Sequence, residues 1–125
     1  MEIILSITLL ENISFKDIVN KMEKVFDISF ICEYKHGRLI AFGDTNQYSI
    51  ELIDKEDTLG EFLCSENYIL EIYISNNENF EYEFYESEIK LLLKKENIMW
   101  VKGIWIDERN DDFLNENHKR IYPDY

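Results

Sequence analysis

Alternating apolar and polar residues predict a strand at the start of the chain. In residues 2–10 every second side chain is Ile or Leu, and Ser6 and Thr8 lie between them. β-branched residues are frequent in this segment, which favours a strand over a helix. Ser14 then resembles a helix N-cap, and residues 15–26 place apolar side chains on one side at helical spacing. The first part of the chain therefore predicts a strand followed by an amphipathic helix.

The rest of the chain predicts five further strands and a second helix. The predicted strands are 28–34, 39–42, 48–53, 68–75 and 98–106. Asp57 and Thr58 begin a short helical piece before the fifth strand, and the sequence from Glu86 favours a longer helix. Residues 79–88, NFEYEFYESE, fit either a strand with one charged face or a helix that begins near Asn79.

This order of elements predicts a single α+β domain over residues 1–125. We expect a mixed or mainly antiparallel sheet of about five to six strands, with the 98–106 strand at its centre and two main helices on one face. A chain of 125 residues can bury a sufficient core without disulfides or metals. Trp100 and Trp105 are expected in that core, and residues 107–125 read as a polar C-terminal tail.

Two further features bear on the compartment of the protein. Cys32 and Cys64 lie in apolar stretches without metal-binding or redox spacing, so we expect buried, reduced thiols. The apolar N-terminal run is too short to span a membrane, and it lacks the basic region of a signal peptide. A cytoplasmic protein is the expectation.

The acidic residues are concentrated in one part of the chain. The formal net charge is −13, and residues 44–88 contain thirteen acidic residues against one base, Lys55. The remaining residues hold thirteen acids against twelve bases, so they are almost neutral. Such a field speeds encounter with cationic partners and repels phosphates and anionic lipids. The charge predicts a positively charged partner and disfavours direct binding to nucleic acid or a membrane surface.

Recognised catalytic and metal-binding motifs are absent from the sequence. His36 and His118 have no partner at metal-ligand spacing, and the four glycines form no phosphate-binding loop. The acids after Asp54 resemble a calcium loop only superficially, since Gly60 is one position too late. We therefore expect neither a catalytic residue nor a metal or cofactor, and an enzyme is the least favoured class.

Two acid-rich stretches supply candidate residues for binding a partner. Residues 54–66 are acidic, and in residues 78–88 glutamates alternate with Tyr and Phe. Tyrosine offers rigid amphipathic contact area, and glutamate complements Lys and Arg on a partner. The rings can also pack in the core while the acids stay solvated, and the two uses are compatible. The candidate residues are Asp54, Glu56, Asp57, Glu61, Glu66, Glu78, Glu81, Tyr82, Glu83, Tyr85 and Glu86.

In overall character the chain resembles the immunity proteins of bacterial toxin systems, including contact-dependent growth inhibition. The acidic run Asp54–Glu66 and the stretch Glu78–Glu88 carry this resemblance. It implies a one-to-one complex with a basic toxin domain, a nuclease that cleaves RNA, tRNA or DNA, whose active site or substrate surface is occluded. Three alternatives are a nucleic-acid mimic that blocks a DNA-binding protein, a non-catalytic subunit of a larger complex, and an enzyme for a small cationic substrate.

Overall fold

The alternating N-terminal residues form strand β1 (Glu2–Leu9) of an antiparallel sheet. The computed structural model describes residues 2–35, 37–55, 67–75, 80–107 and 119–124. Within these ranges the sheet has seven strands in the order β2-β3-β4-β5-β1-β6-β7. The other strands are β2 (Ile31–Lys35), β3 (Arg38–Asp44), β4 (Ser49–Ile53), β5 (Ile69–Ser75), β6 (Trp100–Asp107) and β7 (Arg120–Ile121).

The register places the apolar residues of neighbouring strands side by side on one face. Leu5 of β1 lies opposite Ile72 of β5 and Trp105 of β6, and Ile72 in turn lies opposite Ile50 of β4. All four side chains are buried. Because residues paired across antiparallel strands share a face, the strands build one continuous apolar surface.

Two helices cover this apolar face. Helix α1 (Phe15–Phe26) begins at Ser14, whose Oγ accepts a hydrogen bond of 3.2 Å from the backbone N–H of Asp17. Its buried residues, which include Ile18 and Met22, join the same core as the strands. Helix α2 (Tyr82–Lys95) adds Ile89 and Leu93 to that core. The fold is therefore the expected α+β domain with both helices on one face, and its strand count is slightly higher than expected.

The additional strand, β7, lies within the expected C-terminal tail. Ile121 is buried and pairs with Gly103 of β6. A Cβ atom on Gly103 would stand 2.9 Å from Cγ1 of Ile121, so the glycine leaves room for that side chain. With β7 at its outer edge, β6 is next to last in the sheet. The expectation of a central strand at 98–106 was therefore wrong, although Trp100 and Trp105 are buried as expected.

Strand β2 forms the opposite edge of the sheet, and all five of its residues are exposed. Cys32 is therefore an exposed free thiol, which corrects the expectation of a buried one. The local apolar stretch misled the prediction because β2 is an edge strand whose five residues are all exposed. Cys64 and the expected short helix at Asp57–Thr58 lie outside the described residues.

Candidate functional site

The stretch that fitted both a strand and a helix begins helix α2. Glu81 precedes the helix in an extended conformation, and its side chain makes no capping hydrogen bond. Glu83 lies in the first turn, and Lys94 and Lys95 lie in the last turn. Acids near the N-terminus and bases near the C-terminus both complement the helix dipole. This charge order stabilises a helix that has no side-chain cap.

The inner side of α2 is fixed by a cluster of aromatic rings. Tyr82 and Tyr85 contact Phe80, with ring centroids 4.9 Å and 5.4 Å apart. Trp105 of β6 contacts Phe80 at 5.9 Å and Tyr82 at 5.0 Å, in both cases edge to face. The two candidate tyrosines are thus partly buried against the core. They hold the helix in place and present little free surface to a partner.

Glu86 belongs to the same anchoring arrangement. Its Oε1 accepts a hydrogen bond of 2.9 Å from Nε1 of Trp105 and lies 3.0 Å from Nζ of Lys119. Its side chain is only 15% exposed. Burial alone would lower the pKa of Lys119, but its hydrogen bonds and charge interactions with Glu86 and Glu83 raise that pKa overall. Glu86 therefore joins α2 to β6 and to the segment before β7.

The residues at the start of α2, including the one that precedes it, expose two carboxylates and an aromatic ring to solvent. Glu81 is exposed, the side chain of Glu83 is 78% exposed, and Phe84 is 55% exposed. The pKa of Glu83 is lowered by a hydrogen bond from its own backbone N–H at the helix start and by Lys119, 3.3 Å away. We call Glu81, Glu83 and Phe84 the acidic face of α2.

Glu88, in the next turn, contributes less to this surface. Its Oε2 atom is buried and has no hydrogen-bond partner within the described part of the chain. The pKa of Tyr48 is raised by burial and, next, by the charge of Glu88. The acids of residues 81–88 thus divide into an outer pair, Glu81 and Glu83, and an inner pair, Glu86 and Glu88.

In the other acid-rich stretch, residues 54–66, the candidate that the structure describes is buried. Asp54, directly after β4, is only 7% exposed, and its backbone N–H donates a hydrogen bond to the carbonyl of Leu39. Its position makes it part of the packed structure, so it offers little contact surface to a partner. The remaining candidates lie outside the described residues; they are Glu56, Asp57, Glu61, Glu66 and Glu78.

The sequence did not single out an acid pair on the sheet face opposite the helices. Glu51 of β4 and Glu71 of β5 lie directly across from each other. Oη of Tyr73 lies 3.1 Å from Oε2 of Glu51 and 3.0 Å from Oε1 of Glu71. A phenol carries one proton, so it can donate to only one carboxylate at a time. Both short contacts are satisfied together when one of the two carboxyls is protonated and donates to the phenol oxygen.

Burial is the main cause that raises the pKa of Glu71, and the charge of Glu51 raises it further, against an opposing hydrogen bond from Tyr73. Burial and the two glutamates also raise the pKa of Tyr73. The signal that would have revealed this pair is the outward position of Glu51 and Glu71 in their alternating strands. It becomes visible only once the pairing register of β4 and β5 is known.

Replacement of Glu71 by glutamine is expected to raise the free energy of unfolding near neutral pH by about 0.5–1 kcal/mol, because directly opposed like charges destabilise a sheet. An acid whose folded pKa is raised contributes stability that is present below its unfolded pKa and lost as pH rises through the folded one. The pKa of Glu71 is raised from 4.5. The advantage of the variant in urea unfolding should therefore shrink as the pH falls from about 8 to 4.5, the ordinary pKa of the carboxyl.

Glu33→Gln, at an exposed position of β2, is the matched control for Glu71→Gln. Glu33 lies opposite Ile40, so its replacement separates no opposed acids and should not raise the free energy of unfolding by a comparable amount. An advantage of Glu71→Gln that is equal at both pH values would contradict the account of the acid pair.

No grouping of three or more His, Cys, Asp or Glu side chains that could hold a metal occurs among the described residues. His36 and His118 both lie outside them. No helix in the described ranges is long and apolar enough to cross a membrane. The chain matches no protein-family model, no curated protein and no solved structure in the comparisons made.

Proposed function

We propose that the chain is an inhibitor that binds and neutralises a basic protein, and that this partner is a toxin domain with nuclease activity. The observation that carries the proposal is the acidic face of α2. Two carboxylates and an aromatic ring are exposed at the start of a helix whose inner side is fixed by the aromatic cluster. This is an arrangement suited to binding, since its backbone is ordered before the partner arrives.

Preorganisation of the helix favours tight binding. A surface that is already ordered loses little conformational entropy on association, so more of the contact energy appears as affinity. An exposed ring such as Phe84 can fill an apolar pocket on a partner, while the surrounding carboxylates pair with Lys and Arg. The acidic face of α2 therefore combines an apolar anchor with charge complementarity.

The proposed partner follows from the sign and size of the charge. A net charge of −13 draws cationic proteins to the chain and repels other acidic proteins. Proteins that act on nucleic acids carry clustered Lys and Arg, because these residues displace the counterions of the phosphates. Carboxylates of the acidic face would occupy that cationic surface in place of phosphates. Inhibition would then follow from occlusion, with one chain bound to each toxin domain.

The proposal is tested by neutralisation of the partner. The tagged protein is immobilised, a basic protein is recovered from a lysate of the native host at low salt, and its cleavage of plasmid DNA and total tRNA is measured. Addition of the chain should abolish cleavage, with an end point at one chain per partner molecule. Cleavage that persists in excess chain, or a partner that cleaves neither substrate, would contradict the nuclease-inhibitor role.

Exposed apolar side chains favour a second candidate function, a non-catalytic subunit of a larger complex. Ile31 on the edge strand β2 and Leu91 on α2 are each 68% exposed. Large apolar residues at the surface can mark permanent interfaces. Recovery of a stable assembly of several proteins, retained at both low and high salt and without nuclease activity, would favour this function over the inhibitor.

A further inference from the structure

A cavity of about 430 Å³ lies beside the C-terminal half of α2. Asn97 follows the helix in a left-handed conformation, with φ of 56°, and the N–H of Ile98 donates to the carbonyl of Leu93. This turn directs the chain into β6, so that Ile98, Met99 and Trp100 line the cavity. Their side chains make much of the wall apolar.

The segment after β7 and one side of α2 supply the remaining walls. Pro123 and Asp124 face Lys90 and Lys94 of the helix across the cavity. A second cavity of about 350 Å³ has Lys90, Lys94 and Asp124 in common with the first, and it continues along α2 to Leu91. We call the two together the α2 groove.

The α2 groove carries no net charge in its described lining, whereas the protein as a whole is strongly acidic. Lys90 and Lys94 are four residues apart, so they lie on the same side of the helix. Nζ of Lys90 lies 3.5 Å from Oδ1 of Asp124, whose side chain is 78% exposed. Lys94 is exposed, and it has no carboxylate partner within the described ranges. The described lining of the groove therefore holds two cations and two carboxylates, of which Asp124 is paired with Lys90 and Glu86 with Lys119, so that Lys94 is the charge left without an opposite partner among the described residues.

We propose that the α2 groove binds a small organic acid, with a carboxylate head near Lys90 and Lys94 and an apolar body against Ile98, Met99 and Trp100. The volume suits such a ligand, since small-molecule sites span roughly 300–1,000 Å³ and are mostly apolar with a few placed polar groups. The carboxylate of Asp124, held only by an exposed ion pair, occupies the position that the head of the ligand would take. This inference is independent of the proposed inhibitor function, because the residues that line the groove do not include Glu81, Glu83 or Phe84.

Three features favour an anion over a cation in the groove. A cationic head would meet two lysines at close range, and the carboxylates that it could gain, Asp124 and Glu86, are already paired with Lys90 and Lys119. An anionic head would gain Lys94 as a partner, and beside Lys90 it would replace the carboxylate of Asp124. An exposed ion pair such as Lys90–Asp124 contributes little stability, so its displacement costs little.

The probe for this inference is 4-phenylbutyrate, compared with 4-phenylbutan-1-ol and 4-phenylbutylamine, which share its apolar body. Titration of the isotopically labelled protein is followed by amide chemical shifts. The acid is expected to cause saturable shifts at residues 90–100 and 123–124 and to bind more tightly than the alcohol, with the amine weakest. Tighter binding of the amine, or no saturable shift in this region, would overturn the proposal.

Variants of the groove sharpen this test. Lys94→Gln should weaken binding of 4-phenylbutyrate by about threefold to tenfold, as expected for loss of one charge-assisted contact at a partly exposed site. Asp124→Asn should strengthen binding, because it removes the competing carboxylate. Lys24→Gln, in the last turn of α1, is the matched control and should leave binding unchanged. Weaker binding in Asp124→Asn, or unchanged binding in Lys94→Gln, would contradict an anion site.

Discussion

Replacement of Trp105 by alanine is expected to lower the free energy of unfolding by about 3–5 kcal/mol. The indole ring is buried, contacts the rings of Phe80 and Tyr82, and donates a hydrogen bond of 2.9 Å from Nε1 to Glu86. Alanine removes all three interactions and leaves a cavity between β6 and α2. The loss is a large fraction of the total stability of a domain, and urea unfolding followed by circular dichroism measures it.

Trp105→Phe separates ring packing from the hydrogen bond. Phenylalanine keeps an aromatic ring against Phe80 and Tyr82 but removes the donor to Glu86, which retains Lys119 as its other partner. We expect a loss of about 1–3 kcal/mol, the usual range for a hydrogen bond to a charged group together with a small change in volume. A loss below about 1 kcal/mol in Trp105→Ala would mean that this ring does not anchor α2.

Association with the partner is expected to be about tenfold slower for the double variant Glu81→Lys/Glu83→Lys at low salt, since electrostatic steering raises association rates by 10-fold or more. Both side chains are exposed and reach solvent from the acidic face of α2. The difference should shrink at high salt, because the Debye length falls to about 3 Å at 1 M. Stopped-flow mixing with the purified partner at several salt concentrations measures both effects.

The double variant Asp17→Lys/Glu33→Lys is the matched control for association. It changes the net charge by the same amount, at exposed positions of α1 and β2. If the acidic face of α2 directs the encounter, the control should associate at a rate near that of the unmodified protein. Equal slowing in both double variants would mean that only the total charge matters.

The parts of the fold that were predictable are those in which the local pattern and the tertiary contacts agree. The alternating residues 2–10 form β1, and the segment that follows Ser14 forms α1. Both were predictable because each element buries one face, which leaves a periodic apolar pattern in the sequence. The sequence could not decide between a strand and a helix for residues 79–88, because the spacing of the aromatic residues fits the period of either element. In the helical form that the structure shows, Phe80 and Tyr82 contact Trp105. Trp105 is far along the chain, so no local pattern reveals these contacts.

The features that the sequence missed depend on pairing between distant strands. β7 is too short to give a periodic signal, and its one buried residue, Ile121, is recognisable only beside Gly103. The pair Glu51 and Glu71 exists only in one register of β4 and β5. Cys32 was expected to be buried because its neighbours are apolar, but position at a sheet edge outweighs local composition.

The candidate site was predicted in part. The sequence identified acids and tyrosines at residues 81–86, yet it could not assign them to opposite sides of a helix. Tyr82, Tyr85 and Glu86 anchor α2, and Glu81 and Glu83 are exposed. Phe84, for which the sequence left both core packing and partner contact open, is 55% exposed and belongs with the outer acids.

The most direct test of the central claim is a side-by-side capture experiment on a lysate of the native host. The unmodified chain, Glu81→Lys/Glu83→Lys and Asp17→Lys/Glu33→Lys are immobilised in equal amounts, and bound proteins are quantified by mass spectrometry. We expect one basic protein to be retained by the unmodified chain and by the control, and its amount to be strongly reduced on the Glu81→Lys/Glu83→Lys variant. Equal retention by all three, or retention by none, would contradict the claim that the acidic face of α2 binds a basic partner.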